Sequence, residues 1–357
     1  MPNMTSTIAI HRQVTAFSRP WAELAKARGL DVAIVDAHAA DFLEQIRDYR
    51  AFLWHLNHVE REDVLHGPAI VRAAEEAGVS AFPNAATAAC FDDKLVQARL
   101  FAAAGVPVPR TWIFTRAHEA EAFVDEAIYP LVFKLRRGAG SANVRKVDNR
   151  AQARRLIARM FGTGMNADAG LRSLASTGVK QWQSGQDRRT LVAKTIRAGG
   201  RILRKRLHPD FERGYALFQE FIPDCDRDVR VTVIGDRAFT YERRVRANDF
   251  RASGSGLLLH LQPSAIPMDM VELAFSLSRR WGFQSMAYDF IRGPDGAPRL
   301  VEMCYVFVSN FVRQCEGYMR SNGEWRSGHF QPEALILDDL LAHDWPMGNS
   351  FDAVTRD

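Results

Sequence analysis

Asp289 stands among Met286, Ala287, Tyr288, Phe290 and Ile291, and Glu302 stands between Val301 and Met303. Two carboxylates brought together in apolar strands repel each other and are costly to bury unless a cation neutralises them. The turn sequence "GPDG" predicts that "SMAYDFIRGPDGAPRLVEMCYVFV" folds into a hairpin, which would bring both carboxylates out on one face. Oxygen ligands without His or Cys suit Mg²⁺, which binds one or two carboxylates together with substrate phosphates. The alternative is pairing with an arginine such as Arg292 or Arg299.

A second chemical signal is "YPLVFKLRRGAGSANVRKVD", Tyr129 to Asp148. A Walker-type phosphate loop places its lysine after the glycines, whereas Lys134 precedes Gly138 and Gly140, so that motif is excluded. The apolar residues on either side predict two antiparallel strands. Gly138, Ala139, Gly140, Ser141 and Ala142 carry little side chain, so their backbone N–H groups are able to approach an anion. An ordinary hairpin whose glycines serve only the turn fits the same residues.

The elements that position these residues are legible in outline. "STIAIH", "LDVAIVD" and "AFLWHL" read as strands separated by the helical segments "RPWAELAKAR", capped by Ser18, and "ADFLEQIRDY". Such alternation predicts a small open parallel sheet covered by helices. No dinucleotide glycine fingerprint follows the first strand. "DDKLVQARLFAAAG" offers Asp92 as an N-cap and Gly105 as a C-terminal stop. Helices are expected around Ala151 to Met160 and Arg188 to Arg206, a strand at "YALFQEFI", a hairpin turning at Gly235 and Asp236, and a helix from Met268 to Trp281.

At 357 residues, with 47% hydrophobic and 25% charged residues, the chain matches an ordinary globular protein of two or three domains. No apolar run of signal-peptide or membrane-span length is present, so a cytoplasmic protein is expected. Cys90, Cys225, Cys304 and Cys315 show no CxxC spacing, and reduced, mostly structural thiols are expected. The net charge of +5 is uneven: Asn149 to Leu207 holds 14 Lys and Arg against only Asp168 and Asp187. Such a segment is either a solvated face or a surface for an acidic or phosphorylated partner.

Read in order, Lys94, Lys134 with its small-residue loop, "QEF", Arg230, Arg243, Arg251, Asp289 and Glu302 resemble the ATP-grasp superfamily, in particular the branch of glutathione synthetase and the ligases that add glutamate to a ribosomal protein. The resemblance implies an α/β (α+β) class. A small parallel α/β domain at residues 1–88 would precede a two-lobed ATP-grasp fold at 89–345, with a basic insertion near 149–212 and a tail at 346–357. It also implies ATP and Mg²⁺, or Mn²⁺, as cofactors. Lys94 and Lys134 would meet the phosphates and the adenine side, and the loop with Gly138, Gly140 and Ser141 would close over the phosphates. The backbone of Gln219, Glu220, Phe221 and Ile222 would read the adenine edge, with Glu220 or Asp228 at the ribose. Arg243 and Arg251 would face the terminal phosphate, and Asp289 and Glu302 would hold the metal.

The implied activity is an amide-forming carboxylate–amine ligation through an acylphosphate. A phosphotransferase and a non-catalytic ATP-binding protein are the alternatives. Small-molecule or peptide carboxylates and amines would be the substrates, an acidic acceptor would suit the basic segment, and nucleic acid is a distant option. A homodimer is the common form of symmetric association. Phosphoryl transfer needs positioning and positive charge rather than a nucleophilic side chain, which agrees with this set. Two positions depart from the pattern: Cys304, read as a non-ligand thiol, stands where the asparagine of Glu-x-Asn is usual, and Ser253 stands where the arginine segment usually reaches an asparagine. The segment carrying Glu316, Tyr318, Trp325, Arg326 and His329 is read either as an acceptor site or as a packed cap.

Overall fold

The computed structural model describes residues 7–12, 17–138, 143–167, 211–246 and 249–342. Gly140, Ser141, the helix expected at Arg188 to Arg206 and the tail 346–357 lie outside the described residues. The chain divides into two compact units. One holds residues 1–91, 226–244 and 257–357, and the other holds 92–225 and 245–256.

The first unit begins with strands β1 (Thr7–His11), β2 (Asp31–Val35), β3 (Ala51–Leu53) and β4 (Ser80–Phe82). They form a parallel sheet in the order β2-β1-β3-β4. Ile8, Ala9 and Ile10 are fully buried, as a strand covered on both faces requires. The helix Ser18–Ala27 starts one residue earlier than expected: Ser18 is its first residue, Phe17 is the N-cap, and no side chain caps it. Packing holds this end instead, since Trp21 is buried and its indole Nε1 donates to the Glu333 carbonyl at 3.1 Å.

The second unit carries β5 (Thr111–Phe114), β6 (Leu131–Lys134), β7 (Val144–Val147), β8 (Met165–Asn166), β9 (Phe211–Glu212) and β10 (Ala216–Glu220). The lysine hairpin is present: β6 and β7 are antiparallel, with Lys134 opposite Val144. β10 inserts between β5 and β6, giving the order β5-β10-β6-β7. Phe133, Phe218, Val147, Ile157 and Met160 form part of its core, the last two from helix Arg150–Phe161. That helix belongs to the described part of the basic segment, residues 149–167. It buries Ala153, Ile157 and Met160 and turns outward Arg154, which pairs with Asp125 at 2.5 Å.

The first unit resumes with β11 (Arg227–Ile234), β12 (Arg237–Arg244), β13 (Leu258–His260), β14 (Ser285–Arg292), β15 (Pro298–Cys304), β16 (Gly317–Arg320) and β17 (Trp325–Ser327). They build an antiparallel sheet ordered β15-β14-β11-β12-β16-β17, with β13 also on β12. Both expected hairpins form. Gly235 and Asp236 make a two-residue turn that pairs Ile234 with Arg237, and Gly293 to Gly296 turn β14 into β15. The helix Met268–Trp281 has the expected bounds and ends at Gly282 in the left-handed conformation.

Gly235 has φ +56°, and a Cβ there would fall 2.5 Å from Asp339 Oδ2, the carboxylate that holds Arg237. Gly235→Ala is therefore expected to destabilise the protein by about 1–2 kcal/mol, the usual left-handed penalty for a residue with a Cβ. A lowered midpoint in urea denaturation checks this; an unchanged midpoint contradicts it.

Candidate active site

In the second unit the helix Lys94–Ala104 starts at the mouth of the lysine hairpin. Its N-cap is Asp93, whose Oδ1 accepts from the Leu95 and Val96 N–H groups. This corrects the expected Asp92 cap. Asp92 has φ +48° and accepts instead from the Gly138 N–H at 2.8 Å. The buried Lys94 donates Nζ–H to the Gly138 carbonyl at 2.8 Å, so Asp92 and Lys94 hold the N–H and the carbonyl of one residue at the loop's entry. Gly138, at φ +121°, has no room for a Cβ, which would lie 2.3 Å from Asn143 Nδ2.

Lys134 is buried at the end of β6. The next residues are fastened by groups that sequence patterns did not single out. Glu212 accepts from the Arg136 and Arg137 N–H groups at 3.0 and 3.1 Å and pairs with the Arg137 side chain. Tyr215 lies in a short hydrogen bond to Glu212, and Asp93 pairs with Arg136 at 2.5 Å. Burial raises the Glu212 carboxyl above its ordinary range, against the opposing pull of Tyr215 and Arg137. Glu212 had no legible signal because Arg136 and Arg137, which it holds, lie 76 and 75 residues away.

The strand read as "YALFQEFI" ends at Glu220, which leaves Phe221 and Ile222 beyond the regular strand. Gln219 is buried and donates to Thr111 Oγ1 at 3.0 Å, while one Glu220 oxygen accepts from the Arg110 N–H at 3.1 Å. The Phe221 ring lies under Lys146 Nζ at 5.0 Å and edge-on to Phe250. Arg251 pairs with Asp249 through Nε at 2.8 Å and Nη2 at 2.9 Å.

In the first unit, register assembles a ladder of charges. Asp228 lies opposite Arg243, Arg230 opposite Asp289, and Asp289 opposite Glu302, across β12, β11, β14 and β15. Arg230 grips Asp289 with Nε at 2.6 Å and Nη2 at 2.7 Å. Arg243 grips Asp228 in the same fork, at 2.7 and 2.6 Å, and reaches Asp289 Oδ2 at 2.7 Å. Burial pushes the Asp289 carboxyl up, but Arg230 and Arg243 outweigh it and hold it well below the usual carboxylate range. Arg292 and Arg299, the arginines closest in sequence, pair with Asp269 and Asp295 instead.

Both Asp289 oxygens are thus engaged by guanidinium groups. The two carboxylates do share one face, but Asp289 is the counter-ion of two arginines, and the pair as placed does not fit a Mg²⁺ site. Glu302 is half-buried opposite it. Asp228, expected at a ribose, commits both oxygens to Arg243. Cys304 Sγ lies 3.6 Å from His58 Nε2. Ser253 is half-buried.

A further cluster closes the carboxyl ends of β1 to β3. His11, His38 and Asp63 bring ligand-type atoms within 4.8 Å of one another. The Ala37 N–H donates to His11 Nδ1 at 3.0 Å, which places the neutral ring's proton on Nε2 and leaves it no lone pair for a metal. Burial lowers the His11 pKa to about 4, so the ring is neutral at physiological pH. In the C-terminal segment, His329 Nδ1 donates to the carbonyls of Arg313 and Cys315, and Tyr318 packs on Phe330 and Phe239.

No protein-family model matches the sequence, and no curated protein matches it. Solved structures do match. A RimK domain ATP-grasp protein from Sphaerobacter thermophilus is 18% identical, with 94% of this chain and 99% of that one covered at a TM-score of 0.55. The chain has the ATP-grasp fold. The D-cycloserine synthetase DcsG matches at 15% identity, with 95% of this chain and 99% of that one covered at a TM-score of 0.56. The ATP-grasp ligase PsnB, solved with a phosphomimetic variant of its minimal precursor, Mg and ADP, matches at 18% identity, with 95% and 98% covered and a TM-score of 0.53.

Removing one partner from a buried ion pair leaves the others uncompensated, at a cost of about 3–5 kcal/mol. Asp289→Ala is expected to lower the unfolding free energy in urea by that amount. Because the folded carboxyl is held low, its contribution is present above the ordinary Asp value of about 3.9 and is lost as pH falls below it. An unchanged midpoint at neutral pH would contradict this role.

Proposed function

We propose that this ATP-grasp chain is an ATP-dependent ligase that joins a carboxylate to an amine. The observation that carries the proposal is the mouth of the lysine hairpin, where Lys94 and Asp92 clamp Gly138 at the start of a small-residue loop. In this reading the backbone N–H groups that follow Gly138, in a run of residues with little side chain, meet the phosphate oxygens. Lys94 and Lys134 supply positive charge for the phosphates, and Gly138, with Gly140 and Ser141 outside the described residues, supplies the loop. Gln219 to Ile222 offer backbone to the adenine edge. Asp228 commits both oxygens to Arg243, so the proposal assigns the ribose to Glu220.

In the proposed reaction a substrate carboxylate oxygen attacks the γ-phosphorus and the bond to ADP breaks, giving an acylphosphate. The amine nitrogen then attacks the acyl carbon, loses a proton, and the carbon–oxygen bond to phosphate breaks. Arg251, half-buried in its loop, serves the charge on the transferring group; Arg243, buried between Asp228 and Asp289, contributes a fixed positive field. That PsnB was solved with Mg and ADP supports a metal-nucleotide ligand for this fold. A binding protein without turnover is the second reading, favoured by the engagement of Asp289 with arginines. An acidic acceptor for the basic segment remains part of the proposal; residues 168–207 of that segment lie outside the described residues.

Hydroxylamine intercepts acylphosphates as hydroxamates. With ATP, hydroxylamine and a panel of amino acids, peptides and sugar acids, acid-dependent hydroxamate with matching ADP is expected. Phosphorylated acceptor without free phosphate would establish a phosphotransferase instead. Nucleotide binding with neither product would establish the non-catalytic reading.

A further inference from the structure

The second step of the proposed ligation leaves a proton without an acceptor. An amine of ordinary basicity is an ammonium ion at neutral pH, and its nitrogen has no lone pair for the acyl carbon until a base removes a proton. Histidine is the side chain suited to that exchange near neutrality. At the carboxyl ends of β1 to β3, His38 lies against the buried Asp63, with Nε2 3.2 Å from Asp63 Oδ1. A carboxylate only accepts, so Nε2 carries the proton and the lone pair of the neutral ring is on Nδ1. No hydrogen bond engages Nδ1 among the described residues, and 27% of the His38 side chain is exposed.

The dyad is fixed from several sides. Asp63 sits in the first turn of the helix Arg61–Glu76, and its other oxygen accepts from the Asn57 N–H at 3.0 Å. The His38 N–H donates to Asp36 Oδ1 at 3.1 Å, and Asp36 pairs with Arg12 at 3.1 Å. The His38 ring makes T-shaped contacts with His11 and Trp54, at 5.7 and 5.2 Å between centroids. The indole N–H of Trp54 is buried and has no acceptor among the described residues. A buried donor of this kind calls for an acceptor from outside the chain, beside His38. The loop that holds Asp63 also reaches the antiparallel sheet, since the Leu56 N–H donates to the Tyr305 hydroxyl at 2.9 Å and His58 meets Cys304 at the end of β15. On that strand Glu302 lies opposite Asp289.

We propose that His38, positioned by Asp63, is the base that takes a proton from the amine substrate, an inference that rests on the ligase reading. His38 Nδ1 removes one proton from the ammonium group, the N–H bonding pair stays on nitrogen, and that pair attacks the acyl carbon. The carbon–oxygen bond to phosphate then breaks. The second amine proton leaves with the departing phosphate, and His38 returns the first to solvent. Asp63 does not touch the amine; it holds the ring's tautomer and stabilises the imidazolium that forms. The charged and titratable groups around the ring are Asp63, Asp36, Arg12 and His11. Burial lowers the His11 pKa to about 4, so it adds no charge beside His38 at neutral pH.

Two small nucleophiles separate the base from the ligase. Hydroxylamine is largely unprotonated at neutral pH and attacks without a base, whereas ammonia is largely ammonium. With ATP and a carboxylate that yields hydroxamate, the wild type is expected to form the primary amide from ammonium chloride at neutral pH. His38→Gln is expected to lower the ratio of amide to hydroxamate about 100-fold, a usual contribution of general base catalysis. Asp63→Asn is expected to lower it in the same direction. The deficit is expected to shrink as pH rises and ammonia loses its proton, and added imidazole is expected to restore amide formation in His38→Ala. A ratio unchanged in His38→Gln, or a deficit that pH and imidazole leave untouched, would overturn the base. Hydroxamate without amide in the wild type would overturn it too. No hydroxamate in the wild type would overturn the ligase reading, and the base with it.

Discussion

Two carboxylates and two guanidinium groups, Asp228, Asp289, Arg230 and Arg243, are buried on one face of the antiparallel sheet, and the rest of the first unit is arranged around their neutralisation. None of these charges tolerates a dry environment alone. Register supplies the answer: with β11 in the middle, Asp228 meets Arg243 on one side and Arg230 meets Asp289 on the other. A slip of one residue would turn every charge to the opposite face. The same register places Glu302 opposite Asp289, next to a bulge at Asp289 and Phe290, and carries Cys304 to the level of His58.

The lysine hairpin solves a different problem. A loop that is to receive an anion must keep its backbone N–H groups off neighbouring strands, yet its stem must not fray. Here the stem is held by charge-assisted bonds from residues distant in sequence: Lys94 and Asp92 on Gly138, and Glu212 on Arg136 and Arg137. Such bonds are stronger than neutral ones and act at a fixed point. Glu212 is isolated from water, and burial raises its pKa, so its pairing with Arg137 and Tyr215 sustains the charge.

The local devices were legible in the sequence. Gly235 and Asp236 between alternating strands, "GPDG" at the second hairpin, and Gly105 after "KLVQARLFAAA" each specify a turn or stop by backbone chemistry, and each occurs where expected. The parallel pairing of β1, β2 and β3 followed from alternating strands and helices, whereas β4 and the strand order did not. Caps were less secure, because "FSRP" and "DDK" each offer neighbouring candidates, and tertiary contacts chose Phe17 and Asp93. Pairing across the fold was not legible. Arg292 and Arg299 are close to the carboxylates in sequence, but Arg230 lies directly across a strand pair from Asp289, and sequence distance carries no information about that. Similarly, nothing in "NHVE" indicates that His58 meets Cys304.

The most direct measurement is the thermal unfolding of the wild type and Lys134→Ala with and without ATP, in Mg²⁺ and then in chelator. Ligand at 100 times its dissociation constant stabilises a fold by about 2.7 kcal/mol. An ATP site built on the lysine hairpin predicts an ATP-dependent rise in the wild-type melting temperature that Mg²⁺ enhances and Lys134→Ala abolishes. No rise under any condition would contradict it, and would leave the ATP-grasp fold in this chain without its nucleotide.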